Sequence, residues 1–263
     1  MSREHEIDPS IPSVARMYDY YLGGKDHFPA DREAAEKIVA LVPSVRQIAH
    51  DNRAFLGRAV RLLAARGVTQ FLDIGSGLPT QQNTHQIAQS VAPEARVAYV
   101  DNDPVVLSHG RALLADHVHT IVVDADMRAP DELLAHPEIR GLLDFERPVA
   151  VLLLAMLHFV PGREEPAQIL TALRKVLAPG SYVVVSNAFA GEVDPARLRA
   201  GERVYAGTSA GGVHSRTAAE LAGLTEGFEL LEPGIVPVDA WRVPEARPDF
   251  TKPGLLGLVA RVN

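Results

Sequence analysis

From residue 70 to the C-terminus the chain repeats one pattern: a short apolar run of strand length, then a longer run with helical spacing. QFLDI (70–74), RVAYVD (96–101), HTIVVDAD (119–126), VAVLLLAML (149–157) and SYVVVSNAF (181–189) read as strands. The segment from Pro79 to Val91, DPVVLSHGRALLA (103–115) and EEPAQILTALRKVL (164–177) read as the helices between them. Thr217 and Glu220 have capping-box spacing, and FELLEPGIV (228–236) and GLLGLVARV (254–262) finish as strands. Such regular alternation predicts an α/β fold, a mostly parallel sheet with helices on both faces. In sheets of this kind ligands bind beyond the carboxyl ends of the strands, where the strand order reverses. Asp73–Gly77, Asp101 and Asp124–Met127 all fall there. Residues 13–66 read instead as helices: VARMYDYYLGG closes on Gly23-Gly24, DREAAEKIVALV takes Asp31 as its N-cap, and residues 44–67 stop at Gly67. The expected division is an N-terminal helical cap over residues 1–68 and a ligand-binding domain over 69–263, behind a loose tail of about a dozen residues.

The glycine turn FLDIGSGLPT (71–80) carries the first chemical signal. Gly75 and Gly77 remove side chains where the chain turns and a ligand must approach the backbone. Pro79 suits a helix first turn. Asp101 ends the second strand, where an acid can accept both hydroxyls of a ribose. At the end of the third strand, Asp124 or Asp126 can accept from an adenine amine, and Met127 can pack on the ring. A dinucleotide fold wants a third glycine where this chain has Thr80, and Asp73 would set negative charge beside a pyrophosphate. An acid there suits a cation. S-adenosylmethionine has an ammonium and a sulfonium and no phosphate, so the set favours that cofactor. The competing readings are a tight turn with no ligand and an NAD-dependent oxidoreductase.

At this point the chain resembles a known group. FLDIGSGLPT, YVDNDP (99–104) and DAD (124–126) resemble the first three motifs of class I S-adenosylmethionine-dependent methyltransferases. Residues 12–38, 52–80 and 97–114 resemble hallmark segments of the actinobacterial S-adenosyl methyltransferase family, and the likeness runs from about Pro12 to the end. The resemblance implies a Rossmann-like, seven-stranded sheet with a reversed last hairpin and an N-terminal helical extension. It implies that Asp73, Gly75 and Gly77 line the methionine part of the cofactor, Asp101 and Asn102 the ribose, and Asp124, Ala125 and Met127 the adenine.

Methyl transfer is an in-line displacement, for which alignment matters most and a base is needed only for some acceptors. RMYDYYLGGKDHF (16–28) gathers Tyr18, Tyr21, Lys25, Asp26 and His27 as candidates for acceptor or methionine carboxylate; packing tyrosines and solvated charges are the plain alternative. Arg16 and Arg53 are candidate partners of the carboxylate. LLLAMLHFVPG (152–162) would set Ala155, Met156 and Leu157 beside the transferring methyl, with His158 a candidate base. Residues 203–221, with Tyr205, Gly211-Gly212, His214 and Arg216, form a candidate lid or a plain loop. The remaining histidines, His117 among them, are scattered, and with no cysteine no metal site is expected.

Bulk properties narrow the partners. A net charge of −7 with no basic stripe argues against nucleic acid. The longest apolar run, Val149–Leu157, is too short to span a bilayer, and the polar first residues carry no signal-peptide core. The expectation is a cytoplasmic methyltransferase acting on a small molecule; a protein that binds S-adenosylmethionine without transfer, as sensor or scaffold, is the alternative.

Overall fold

The computed structural model describes residues 7–79, 82–114 and 118–263. The first six residues, Thr80 and His117, named above, lie outside them. Three helices come first: α1 (Val14–Tyr21), α2 (Pro29–Leu41) and α3 (Val45–Ala65). The alternating region follows as β1 (Gln70–Ile74), α4 (Thr84–Gln89), β2 (Arg96–Asp101), α5 (Pro104–Leu114), β3 (Thr120–Asp124), α6 (Pro130–Leu134), α7 (Pro137–Leu142), β4 (Ala150–Leu154), α8 (Glu164–Val176) and β5 (Tyr182–Phe189). The chain ends with α9 (Pro195–Ala206), α10 (Ala218–Leu224), β6 (Glu229–Leu230), β7 (Val236–Pro237) and β8 (Gly254–Arg261).

The strands form one sheet in the order β3-β2-β1-β4-β5-β8-β6, with β7 also paired to β8. β1 to β5 are parallel, and β8 runs antiparallel to β5. Period-two alternation divides their side chains. Leu72, Val100, Val151, Leu153 and Val183 join a core completed by Leu133, Ile139, Ile169 and Leu173 of α6, α7 and α8. Phe71, Val97, Leu152 and Val184 point the other way, onto Phe55, Ala59 and Leu63 of α3 and Ile87 of α4. Burial on both faces explains why the strands read as continuous apolar runs. A smaller cluster joins Met17 and Tyr21 of α1, Ala35 and Ile38 of α2, Ala49 of α3 and Tyr205 of α9.

Several local expectations shift. Asp31 is not the N-cap of α2; the helix starts two residues earlier at Pro29, and the Asp31 carboxylate accepts the Phe28 N–H at 2.7 Å. The helix expected from Pro79 begins only at Thr84, where Asn83 and Gln86 form a capping box. FELLEPGIV divides into β6 and β7, because Pro233 has no N–H to offer a ladder and Gly234 adopts φ +81°. Helix α9 occupies a stretch given no element in the sequence and runs into the start of the candidate lid at residues 203–206. Its start is written in the sequence: Asp194 accepts from the N–H groups of Ala196 and Arg197, and Pro195 follows it.

Candidate functional site

The parallel order reverses between β1 and β4, and the loops after these strands and after β2 open on two adjoining cavities. The first, about 450 Å³, is lined by Asp101, Asn102, Ala125, Asp126, Met127 and Arg16 among others. The second, about 290 Å³, is lined by Asp73, Gly77, Arg53, Tyr18, Tyr21 and His158 among others. Gly75, Asp101 and Met156 border both.

Glycine is required at the turn for two reasons. Gly75 and Gly77 have φ of +72° and +65°, which L side chains rarely adopt. A Cβ on Gly75 would collide with the Met156 side chain, whereas one on Gly77 would meet nothing within 4 Å and would take up open space. Asp101 holds the turn in place. Its Oδ2 accepts the Gly77 N–H at 2.9 Å, and its Oδ1 accepts those of Asn102 and Asp103 at 2.9 and 3.0 Å. Burial pushes its carboxyl up to about 6, against the pull of these hydrogen bonds. Asp73 is also raised by burial; the Thr84 hydroxyl, donating at 2.6 Å, and the Arg53 charge oppose that rise.

The two arginines differ. Arg16 borders the first cavity, not the second, and its guanidinium is engaged: Nε pairs with Asp31 at 2.8 Å, one terminal nitrogen with Asp103 at 3.3 Å, and the other donates to the Ile11 carbonyl at 2.9 Å. It braces the N-terminal segment and does not stand free for a carboxylate in the second cavity. Arg53 does border the second cavity, donating to the Gln82 carbonyl at 2.9 Å with its charge close enough to act on Asp73. Asp124 sits in register with Asp101 but lines neither cavity; Asp126, two residues on and paired with Arg128, lines the first. Lys25, Asp26 and His27 also line neither cavity.

His158 cannot be the base expected of it. Its Nδ1 accepts the Ala188 N–H at 3.1 Å, so the neutral ring carries its proton on Nε2. Burial, with the charges of Arg216 and His214 beside it, pushes its pKa down to about 3. The ring is a neutral, fixed wall. Tyr18 is similarly committed: its hydroxyl donates to the Ala49 carbonyl and accepts from Asn52 Nδ2, both at 3.0 Å. Asn52 Oδ1 accepts the Ser186 hydroxyl at 2.7 Å, and Ser186 Oγ accepts the Ala155 N–H at 2.8 Å. This relay fixes Ala155, which has φ +56°, at the rim of the second cavity. Neither Asn52 nor Ser186 stood out in the sequence. Tyr21 is buried on the same wall, beside Tyr205, and among the described residues its hydroxyl makes no hydrogen bond of standard geometry.

Residues 209–216 are fastened by main-chain bonds from Ser209 to Pro12, His214 to His158 and Arg216 to Ala188. The Arg216 guanidinium donates to four acceptors, the carbonyls of Leu157, Val160 and Gly162 and the Asn187 side chain. The segment is a packed strap, and it holds the loop after β4. Among the described residues no three His, Asp or Glu side chains gather as a metal site, and no helix is long and apolar enough to cross a membrane.

This sheet order, with a glycine turn after β1 and an acid ending β2, defines a class I S-adenosylmethionine-dependent methyltransferase. The chain belongs to the S-adenosyl methyltransferase family, whose model matches residues 1–263. It is similar to a candidate methyltransferase from Thermobifida fusca YX, with 41% identity over 97% of this chain and 96% of that one and a TM-score of 0.89. A DUF574-family protein from Streptomyces avermitilis shows 42% identity over 98% and 100% of the two chains, with a TM-score of 0.90. The pyocyanin biosynthetic protein PhzM shares the fold alone, at 20% identity over 94% of this chain and 62% of its own, TM-score 0.51. No curated protein matches the chain. The cofactor is S-adenosylmethionine, and the family sets the dinucleotide alternative aside.

Proposed function

We propose that the protein transfers a methyl group to a small-molecule acceptor held in the second cavity. The observation that carries this reading is the pair of adjoining cavities sharing Gly75, Asp101 and Met156: one gathers Asp101, Asn102 and Asp126 beside Met127, the other leads from Asp73 and Arg53 to a tyrosine-lined wall. When bound, S-adenosylmethionine supplies a methyl group activated by a positively charged sulfur. Asp101 and Asn102 would hold the ribose, and Ala125, Asp126 and Met127 the adenine. Gly75 and Gly77 let the backbone approach, while Asp73 and Arg53 present opposite charges to the ammonium and carboxylate of the methionine part. Ala155 and Met156 border the transfer point. With His158 neutral and Nδ1 occupied, the chain contributes alignment and exclusion of water and no imidazole base. Residues 1–68 serve as the cap and 69–263 as the cofactor domain, and we place the protein in the cytoplasm.

The test is incubation with methyl-labelled S-adenosylmethionine and fractionated small molecules from a source extract. Label should appear in a low-molecular-weight product. Tight cofactor binding with label in no product would replace this reading with a sensor.

A further inference from the structure

Resting on that assignment of the second cavity, we propose that the acceptor is an uncharged, ring-bearing, largely apolar molecule whose oxygen atom hydrogen-bonds to the phenol pair Tyr21 and Tyr205. The wall away from the cofactor comes from α1, α2, α3 and α9, with Ile38, Val42, Val45, Ile48 and Leu198 facing the cavity. Phe159 and the two tyrosines add aromatic faces, on which a ring packs favourably.

The charges around the cavity are placed elsewhere. Asp73, Asp101, Asp103 and Arg53 belong to the cofactor end. Arg197 and Glu202 on α9 carry opposite signs, so together they favour neither an anion nor a cation. An ion entering the apolar part would lose its hydration without a dedicated counter-charge.

One polar feature in this wall is unexplained by folding. Tyr21 is 4% exposed, and among the described residues its hydroxyl makes no hydrogen bond of standard geometry. The Tyr205 phenol faces it and acts on it both through charge and as a weak acceptor, in a contact short of standard hydrogen-bond geometry. A buried hydroxyl left unpaired is costly, whereas one satisfied by a ligand is a selectivity device. An acceptor oxygen beside the two phenols would satisfy both.

The experiment uses β-naphthol as the probe, with β-naphthoate and naphthylmethylamine as its anionic and cationic counterparts, each titrated into the protein saturated with S-adenosylhomocysteine. β-Naphthol should bind about tenfold or more tighter than either ion. Tyr205→Phe should weaken β-naphthol about fivefold, the worth of one hydrogen bond, with S-adenosylhomocysteine affinity unchanged. Tyr21→Phe should also weaken the probe while leaving the thermal stability of the free protein equal or higher, which a tyrosine with a structural hydrogen bond would not do. Absence of β-naphthol binding, equal binding of a charged counterpart, or undiminished affinity in both variants would overturn the inference. Failure of S-adenosylhomocysteine itself to bind would instead overturn the functional reading beneath it.

Discussion

Asp101 serves the turn and the ligand at once. Three main-chain N–H groups already donate to it, which leaves about one of a carboxylate's four lone-pair sites for a ribose hydroxyl, and only while the group is ionised. Its carboxyl, raised to about 6 by burial, protonates in the free protein in mildly acid solution. Affinity for S-adenosylhomocysteine should therefore fall as pH drops through about 6, by up to about tenfold per pH unit. Asp101→Ala should weaken binding by about 1–3 kcal/mol and flatten that profile; calorimetry across pH checks both. His158 has its pKa moved the other way, but acid again costs the protein. Its folded pKa is depressed from 6.5 to about 3, so the unfolded chain takes up a proton first. Stability is lost as pH falls from 6.5 towards 3, by an amount on the order of 3–5 kcal/mol. In His158→Asn the amide oxygen can still accept the Ala188 N–H, and thermal denaturation of that variant should be distinctly less acid-sensitive. At this scale Asp73, Gly75, Gly77 and Asp101 were legible in the sequence, because each answers a local demand at a strand end. Asp124 and Arg16 were assigned a role one step from where their side chains lie, since neither strand-end register nor a helical position tells which neighbour a side chain engages.

Among the elements, α3 ties the N-terminal helices to the sheet. Its Phe55 and Leu63 pack on the strands, its Asn52 joins Tyr18 of α1 to Ser186 of β5, and its Arg53 reaches the loop before α4. Asn52→Leu fits the space crudely but leaves the Ser186 hydroxyl without its acceptor and Tyr18 without its donor. It should destabilise the protein by about 2–4 kcal/mol in denaturant titration and loosen Ala155. The relay was hidden from sequence reading because Asn52 and Ser186 are far apart along the chain. The central strands were visible as apolar runs, since helices cover both faces. The outer edge was visible only as the single strand FELLEPGIV: β6 and β7 are two residues each, held by pairing to β8, and so short a pattern has no period to show the break. α9 carried a readable start at Asp194-Pro195 but buries none of its residues, so its apolar stripe is faint.

At the scale of the molecule, every loop that meets the cofactor leaves the same edge of the sheet, so binding should brace residues from α3 to β5 together. A ligand that favours the folded state at a hundredfold excess over its dissociation constant adds about 2.7 kcal/mol. Thermal denaturation with S-adenosylhomocysteine should show that gain, and NAD should give none. A shift with NAD alone would contradict the assignment of the cofactor.

The cavity wall of tyrosines is drawn from two distant stretches, the opening helices and α9, which pack together around Tyr21, Ile38 and Tyr205. A single protease nick in the exposed stretch around Glu192–Ala196 would leave the sheet and its glycine hairpin whole. On the proposed reading, such a clipped protein should keep its grip on the nucleoside yet lose the cover over the methyl.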